Sequence, residues 1–533
     1  MLRRLLILLV TMGVAAVAVG ILLGRPLEVG GAERPLLLGE LDGLLAAGLF
    51  ALALVWLAPG RGAGRRRKAA FGLLLAAGLT AVVLTAWLPR PPRRVEPGEV
   101  EPPPGARRTL LVAVDALSWN RLLPLARSGA LPNFARLMEE GSYGALDSLR
   151  SRRRSAGRDG YWSPVVWTSI ATGLPPREHG IVDFSLPNEG GGLTLAATHH
   201  RRAAAFWNLW SAFGRSVGVV GWWAPWPAEE VRGEIVSSGL GLRGRRTGRG
   251  EELAGGVLER FAEGLTHPAE LLVELESEVA PPGDVERFID QRIFPLTSYA
   301  VLGETERNTF QSVIWQDRYF YNVARYLLQR QPRELFAVYF EGVDLAGHLW
   351  WRYHDDPDSL LGVTVPPGFA EHAKVVDRSY RVVDSYLGGL MDLAGDDATV
   401  VVVSDHGFRS DPGHEQGADH SVSGVILARG PGIRRGHDLN LSPRGAVDRL
   451  LAGRVGVLDV LPTLLYLHGL PVSRELPGRP VFEMLESSYL RRNPLVEVGS
   501  YGDFEATRKV EIELPEEDRE EYLERLRSLG YID

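Results

Sequence analysis

Thr399-Val400-Val401-Val402-Val403-Ser404-Asp405-His406-Gly407 is a run of five β-branched residues that ends in a carboxylate and an imidazole. Five such residues without polar alternation suit a strand buried on both faces, the pattern of a parallel sheet covered by helices. The same form recurs along the chain. Thr109 to Val114 leads into Asp115, Leu335 to Phe340 precedes Asp344 and His348, and His420 stands just before Ser423 to Leu427. Ser216 to Val220 reads as a further buried strand. Between these runs Val375, Val376, Tyr380, Val383, Leu387, Leu390 and Met391 recur at three- and four-residue steps, an amphipathic helix of about five turns. Strand and helix in alternation give an α/β fold with a mostly parallel central sheet flanked by helices. In such sheets functional groups gather beyond the carboxyl ends of the strands.

The 533 residues carry 59 Lys+Arg against 66 Asp+Glu and no cysteine, so disulfide scaffolds, thiol enzymes and cysteine-ligated zinc are excluded. A content of 45% apolar and 23% charged residues is that of a globular protein. Residues 1–108 hold 14 Lys+Arg and 7 Asp+Glu, which leaves a net −14 for residues 109–533 and argues against nucleic acid as a scaffold partner.

Residues 1–88 read as a transmembrane anchor of about three helices. Leu5 to Gly24, Leu36 to Ala58 and Ala69 to Leu88 are each near the ~20 residues that cross a bilayer, although Glu40 and Asp42 shorten the second. Arg3 and Arg4, with the cluster Arg61, Arg65, Arg66, Arg67 and Lys68, belong in the cytoplasm by the positive-inside rule, which puts the chain from residue 109 outside the cell membrane. The rival reading takes Leu5 to Gly24 as a cleaved signal peptide, and it too exports the remainder. Residues 89–108 form a proline-rich, semi-rigid tether.

Asp115, Asp344, His348, Asp405, His406 and His420 then converge on one sheet edge. Singly, an Asp after a strand is ordinarily a turn former or helix cap, and a His a satisfied polar residue. Jointly, three carboxylates and three imidazoles would repel or stay under-satisfied without cations, and they are a donor set that zinc or manganese accepts. The segment Ser163 to Gly173 adds a nucleophile. Ser163 followed by Pro164 has the form of an N-cap with proline at the first helical position, and a hydroxyl there faces free backbone N–H groups suited to a phosphoryl group.

The ordered set Asp115, Ser163 to Gly173, Pro176 to Ile181 (Pro-Arg-Glu-His-Gly-Ile), Asp344 with His348, Asp405-His406-Gly407, and His420 before Gly430-Pro431-Gly432 resembles the alkaline phosphatase superfamily, and within it the type I phosphodiesterase/nucleotide pyrophosphatase branch. The likeness spans about residues 109–482 and includes Asp459 to Thr463. It implies an alkaline phosphatase-like catalytic domain over residues 109–485 and two divalent metal ions, usually zinc in this branch, with manganese as the alternative. By position, Asp344, His348 and His420 would hold one ion and Asp115, Asp405 and His406 the other, with Ser163 as the nucleophile beside the second. The branch commonly has an Asn three residues after the nucleophile, where this chain has Val166, so the resemblance does not extend to a nucleotide preference. Sulfatases of the superfamily need Pro at the second place and Arg at the fourth after the modified residue. Pro164 at the first and Trp167 at the fourth disfavour that activity.

Trp222, Trp223 and Trp226 follow a predicted strand and are expected either in the core or lining a substrate groove. Residues 228–320 are expected as an insertion or cap, Gly241 to Gly250 as an exposed basic loop, and residues 486–533 as an extension containing an acidic amphipathic helix over Pro515 to Gly530. The expected activity is a membrane-anchored two-metal hydrolase of phosphodiesters or phosphoanhydrides acting through a phosphoserine. The alternatives are transfer of the phosphoryl-alcohol group to an envelope lipid or glycan, and a non-catalytic envelope binding protein.

Overall fold

The computed structural model describes residues 93–94, 107–155, 158–160, 163–187, 193–223, 226–238, 264–283, 285–293, 302–353, 369–372, 374–410, 418–441 and 454–502. The three expected membrane spans, nearly all of the tether, the 241–250 loop and the 515–530 helix lie outside these residues. Among the described residues no helix is long and apolar enough to cross a membrane. The chain divides into two units, and all elements named below belong to the larger, Arg93–Tyr489 with Leu495–Asp533.

Its main elements are β1 (Thr109–Val114), α1 (Trp119–Arg127), α2 (Pro132–Glu140), β2 (Ser142–Asp147), α3 (Ser163–Thr172), β3 (Val217–Val220), β4 (Gly233–Val236), β5 (Thr266–His267), α4 (Glu304–Arg330), β6 (Leu335–Phe340), α5 (Gly342–Trp350), α6 (Val375–Ala394), β7 (Thr399–Val403), β8 (Gly407–Ser410), β9 (Ala418–Ser421), β10 (Ser423–Arg429), β11 (His437–Asp438) and α7 (Val460–Leu467). Nine strands form one sheet in the order β5-β4-β3-β6-β1-β7-β10-β2-β11. The five central strands β4, β3, β6, β1 and β7 are mutually parallel. β10 runs antiparallel to both β7 and β2, and β5 antiparallel to β4. The run expected over Ser423 to Leu427 is thus a strand, but a reversed one that extends to Arg429.

Every residue of β1, β6 and β7 is buried, because both faces of the sheet are covered. Leu110, Val112 and Val114 join Phe336, Val338, Phe340, Val400 and Val402 in one core with α1, α2, α4, α5 and α6. The alternation of a strand sends Ala113 and Tyr339 to the opposite face. That face is met by α3, whose ten residues are all buried and which packs against α7. The 228–320 stretch contributes β4 and β5 to the edge of the sheet and the first part of α4 to its helical layer.

Candidate metal centre

The pairing register places the site. Phe340 lies beside Val114 and Val403 beside Ala113, so β6, β1 and β7 end level with one another. Asp115 follows β1, Asp344 lies on the first turn of α5, and Asp405 and His406 follow β7. β8 and β9 form a hairpin in which Phe408 pairs with His420, and this brings the last imidazole to the same edge. Ser163 opens α3. The chain therefore gathers these six side chains, although they are spread from residue 115 to residue 420.

His406 is the hub. Its Nε2 lies 3.2 Å from Asp115 Oδ1, 3.6 Å from Asp405 Oδ2, 3.8 Å from Asp344 Oδ1 and 3.5 Å from Ser163 Oγ. Its Nδ1 is 3.2 Å from the Gly407 carbonyl, so an Nδ1–H donated there leaves Nε2 to face the carboxylates. The His420 ring stacks on that of His406 at 3.8 Å, and its Nε2 stands 3.0 Å from His348 Nε2 and 3.7 Å from Asp344 Oδ1. His348 Nε2 is 3.5 Å from Asp344 Oδ2. Two groups of ligand atoms are close enough to share an ion: Asp115, Asp405 and His406, and Asp344, His406 and His420. The first is one of the sets implied by resemblance. The second has His406 where the resemblance puts His348.

The electrostatics of this cluster call for positive charge. Burial alone depresses the His406 imidazole, but Asp405, Asp115 and Asp344 outweigh it and raise it to about 10. Burial, and then the neighbouring charge of Asp115, hold the Asp405 carboxyl well above the usual carboxylate range. Asp115 also feels the upward push of burial, and the neighbouring His406 reverses it. No hydrogen-bond donor is aligned on the buried oxygens Asp115 Oδ1 and Asp405 Oδ2. Buried carboxylate oxygens without donors, grouped with imidazole nitrogens, fit divalent cations of the zinc or manganese type.

Helix α3 includes Ser163 as its first residue, one position earlier than the N-cap reading. Two other hydroxyls of this helix are committed elsewhere. Thr168 Oγ1 donates to the Pro164 carbonyl at 2.7 Å and Ser169 Oγ to that of Val165 at 3.0 Å. His179 Nδ1 accepts the Ile181 N–H at 3.2 Å, which assigns its proton to Nε2, 2.8 Å from Ser169 Oγ. The Pro176 to Ile181 motif thereby ties down the helix that carries Ser163. Val166 is fully buried and offers no side-chain donor to a phosphoryl oxygen.

Several supporting residues escaped the sequence reading. Ser118 Oγ accepts the Phe408 N–H at 2.6 Å, and Ser404 Oγ accepts the Leu117 N–H at 2.8 Å while donating to the His406 carbonyl at 2.7 Å. These two serines join the loops after β1 and β7, and only their adjacency to helix start and ligand could have signalled them. Tyr339 and Trp167 both hydrogen-bond Asp115, and burial followed by the charge of Asp115 keeps the Tyr339 phenol well above its ordinary value, hence a donor. Of the two readings of Trp222, the structure takes the core. The indole is fully buried against Trp167 and Phe206 and belongs to the core, so it lines no groove. Trp223 and Trp226 are half-buried, and the Trp223 N–H is spent on Tyr339 OH at 2.7 Å.

The sequence profile of the family described as "Type I phosphodiesterase / nucleotide pyrophosphatase" matches residues 109–420. No curated protein matches the chain. Among solved structures, the chain is similar to murine ectonucleotide pyrophosphatase/phosphodiesterase 5, an inactive variant in complex with AMP, with 12% identity, 71% of this chain and 100% of that one covered, and a TM-score of 0.38. The human counterpart gives the same identity, coverages and TM-score. A 2-O GAG sulfatase is similar at 13% identity over 72% of this chain and 74% of its own, with a TM-score of 0.41.

Proposed function

The chain belongs to the type I phosphodiesterase/nucleotide pyrophosphatase family, and on that premise we propose a two-cation hydrolase of phosphodiester or phosphoanhydride bonds with Ser163 as nucleophile. It is a phosphoric ester hydrolase, and dependence on divalent metal is general in its family. The observation that carries the finer reading is the buried meeting of Ser163 Oγ, His406 Nε2 and the unsatisfied Asp115 Oδ1 and Asp405 Oδ2 at one sheet edge. Asp115, Asp405 and His406 would hold one cation beside Ser163, and Asp344, His348 and His420 the other, with zinc preferred and manganese second. Such cations, when bound, lower the pKa of the serine hydroxyl and neutralise charge on the leaving oxygen.

Ser163 Oγ gives up its proton to water and attacks phosphorus in line, and the departing oxygen takes a proton back from water. The bond to the departing alcohol or phosphate breaks as the serine ester forms. The backbone N–H groups of the first turn of α3 face the phosphoryl oxygens. Water then attacks phosphorus, and the serine oxygen leaves and recovers a proton. The Gly407 carbonyl, through His406 Nδ1–H, keeps Nε2 directed at the ligand cluster throughout.

The reading extends to location. The three apolar stretches before residue 89 and the basic cluster over 61–68 support an anchor in the cell membrane, with the catalytic part outside. Protease added to intact spheroplasts should digest that part, and its protection would overturn the assignment. The activity itself is tested by offering the purified chain phosphomonoesters, phosphodiesters and sulfate esters. Diesters should turn over fastest, and chelation should abolish turnover. Full activity after chelation, or faster cleavage of sulfate esters, would refute the proposal.

A further inference from the structure

The two oxygens of Asp115 have different surroundings. Oδ2 accepts the Tyr339 hydroxyl at 2.6 Å and the Trp167 indole N–H at 3.0 Å, whereas no donor is aligned on Oδ1, which faces His406. The Tyr339 hydroxyl in turn accepts the Trp223 indole N–H at 2.7 Å. An indole N–H can only donate, so Trp223 occupies an acceptor position of the phenol and directs the phenolic proton onto Asp115. Trp167 packs edge-on against both Tyr339 and Trp222, at 5.2 and 5.3 Å, and its carbonyl accepts the Trp222 N–H at 3.3 Å. Tyr339, Trp167 and Trp222 are buried.

We propose that Tyr339 and Trp167, with Trp223 behind them, are positioning residues that fix Asp115 as a one-oxygen cation ligand through Oδ1 and set the distance from that cation to Ser163. Two donors on Oδ2 stop the carboxylate from rotating and leave the lone pairs of Oδ1 as the ligand. Trp167 lies four residues after Ser163 on α3, so the carboxylate that holds the cation also holds the helix of the nucleophile. Partners of this kind orient ligands, and their loss typically costs about 10- to 100-fold in metal affinity. The inference rests on the two-cation reading above.

Zinc binding by the full chain tests it, measured by competition with a chromophoric chelator for the wild type, Tyr339→Phe, Trp167→Phe and Trp223→Phe. Tyr339→Phe should keep the stoichiometry of two while one site weakens by about 10- to 100-fold and the other is unchanged. Trp223→Phe should weaken the same site by less. A variant that merely loosened the fold would weaken both sites together and lower the melting temperature of the chelated chain. Should Trp167→Phe fail to fold, Tyr339→Phe and Trp223→Phe carry the test, since each removes a single donor. Wild-type affinity at both sites in Tyr339→Phe would overturn the inference and leave the proposed function standing. A wild-type chain that binds no zinc or manganese would overturn both.

Discussion

The carboxylate of Asp317, buried in α4, accepts the backbone N–H of Gly342 at 2.8 Å and that of Glu341 at 2.9 Å. Gly342 opens α5, the helix that carries Asp344 and His348, and the residue at its N-cap position, Glu341, makes no side-chain cap of its own. A cap normally supplied by the preceding loop comes instead from 25 residues upstream, so α4 and α5 are locked together at the turn that presents two ligands. A side chain on residue 342 would meet Asp317 Oδ2 at 2.7 Å, which is why glycine stands there.

Asp317→Ala should therefore destabilise the chain by about 2 kcal/mol, the scale of a lost cap that leaves buried N–H groups without an acceptor. Asp317→Asn, which keeps one acceptor oxygen, should lose less. Urea unfolding measures both, and an unchanged midpoint in Asp317→Ala would show that α5 needs no such cap.

Ser163→Ala should lose roughly three or more orders of magnitude in turnover while keeping its bound cations, on the scale seen when nucleophiles are deleted. The hydroxyls of Thr168 and Ser169 are directed into helix carbonyls and cannot take over. Acid trapping of phosphorylated enzyme followed by peptide mapping locates the ester. A phosphate on Thr168 or Ser169, or near-normal turnover by Ser163→Ala, would remove Ser163 from its role.

The strands that build the site were legible because β1, β6 and β7 are buried on both faces and so show as unbroken apolar runs ending in polar residues. α6 was legible from its periodicity. β2 was not: its burial alternates and its sequence, Ser-Tyr-Gly-Ala-Leu-Asp, has neither a β-branched residue nor an apolar run. The reversed direction of β10 was hidden for a different reason, since direction is fixed by the connection and the neighbour, not by the residues of the strand. The ligands were visible as polar residues after strands, but the groups that orient them were not. Tyr339 within Leu335–Phe340 reads as one more core aromatic, and its role depends on the register that sets it beside Ala113, two residues before Asp115.

His179 and His468 should make the chain acid-sensitive. Burial first, with the charge of Arg201 for His179 and of Arg107 and Arg215 for His468, lowers both to about 3. An unfolded histidine titrates near ~6.5, so below that pH the unfolded chain takes up protons that the folded chain refuses. Their contribution to stability is whole above ~6.5 and falls by about 1.4 kcal/mol per pH unit per histidine as the pH drops toward 3. Comparing wild type with His468→Gln by urea unfolding from pH 7 to 5 isolates one of them. The variant should show the shallower dependence, and parallel curves would mean that His468 is protonated in the folded chain.

Ala116, directly after Asp115, is the one non-glycine residue among those described that has positive φ, 61°. The conformation is imposed from outside, because Leu117 N–H donates to Ser404 Oγ at 2.8 Å and Ala116 N–H points at Asp405 Oδ1 at 3.5 Å. Holding a side chain there costs about 1–2 kcal/mol. Glycine would remove that strain, but it would lose a fully buried methyl worth ~0.8 kcal/mol and add about 0.5–1 kcal/mol of unfolded-state entropy. These effects nearly cancel, so Ala116→Gly should unfold within about 0.5 kcal/mol of wild type by the same magnitudes. Valine keeps the strain, adds a second branch at Cβ, and enters a site with no exposed surface, so Ala116→Val should lose about 2 kcal/mol or more. If Ala116→Val matched wild type in urea, the turn after β1 would be free to relax, and the backbone could not be what aims Asp115 at the cluster.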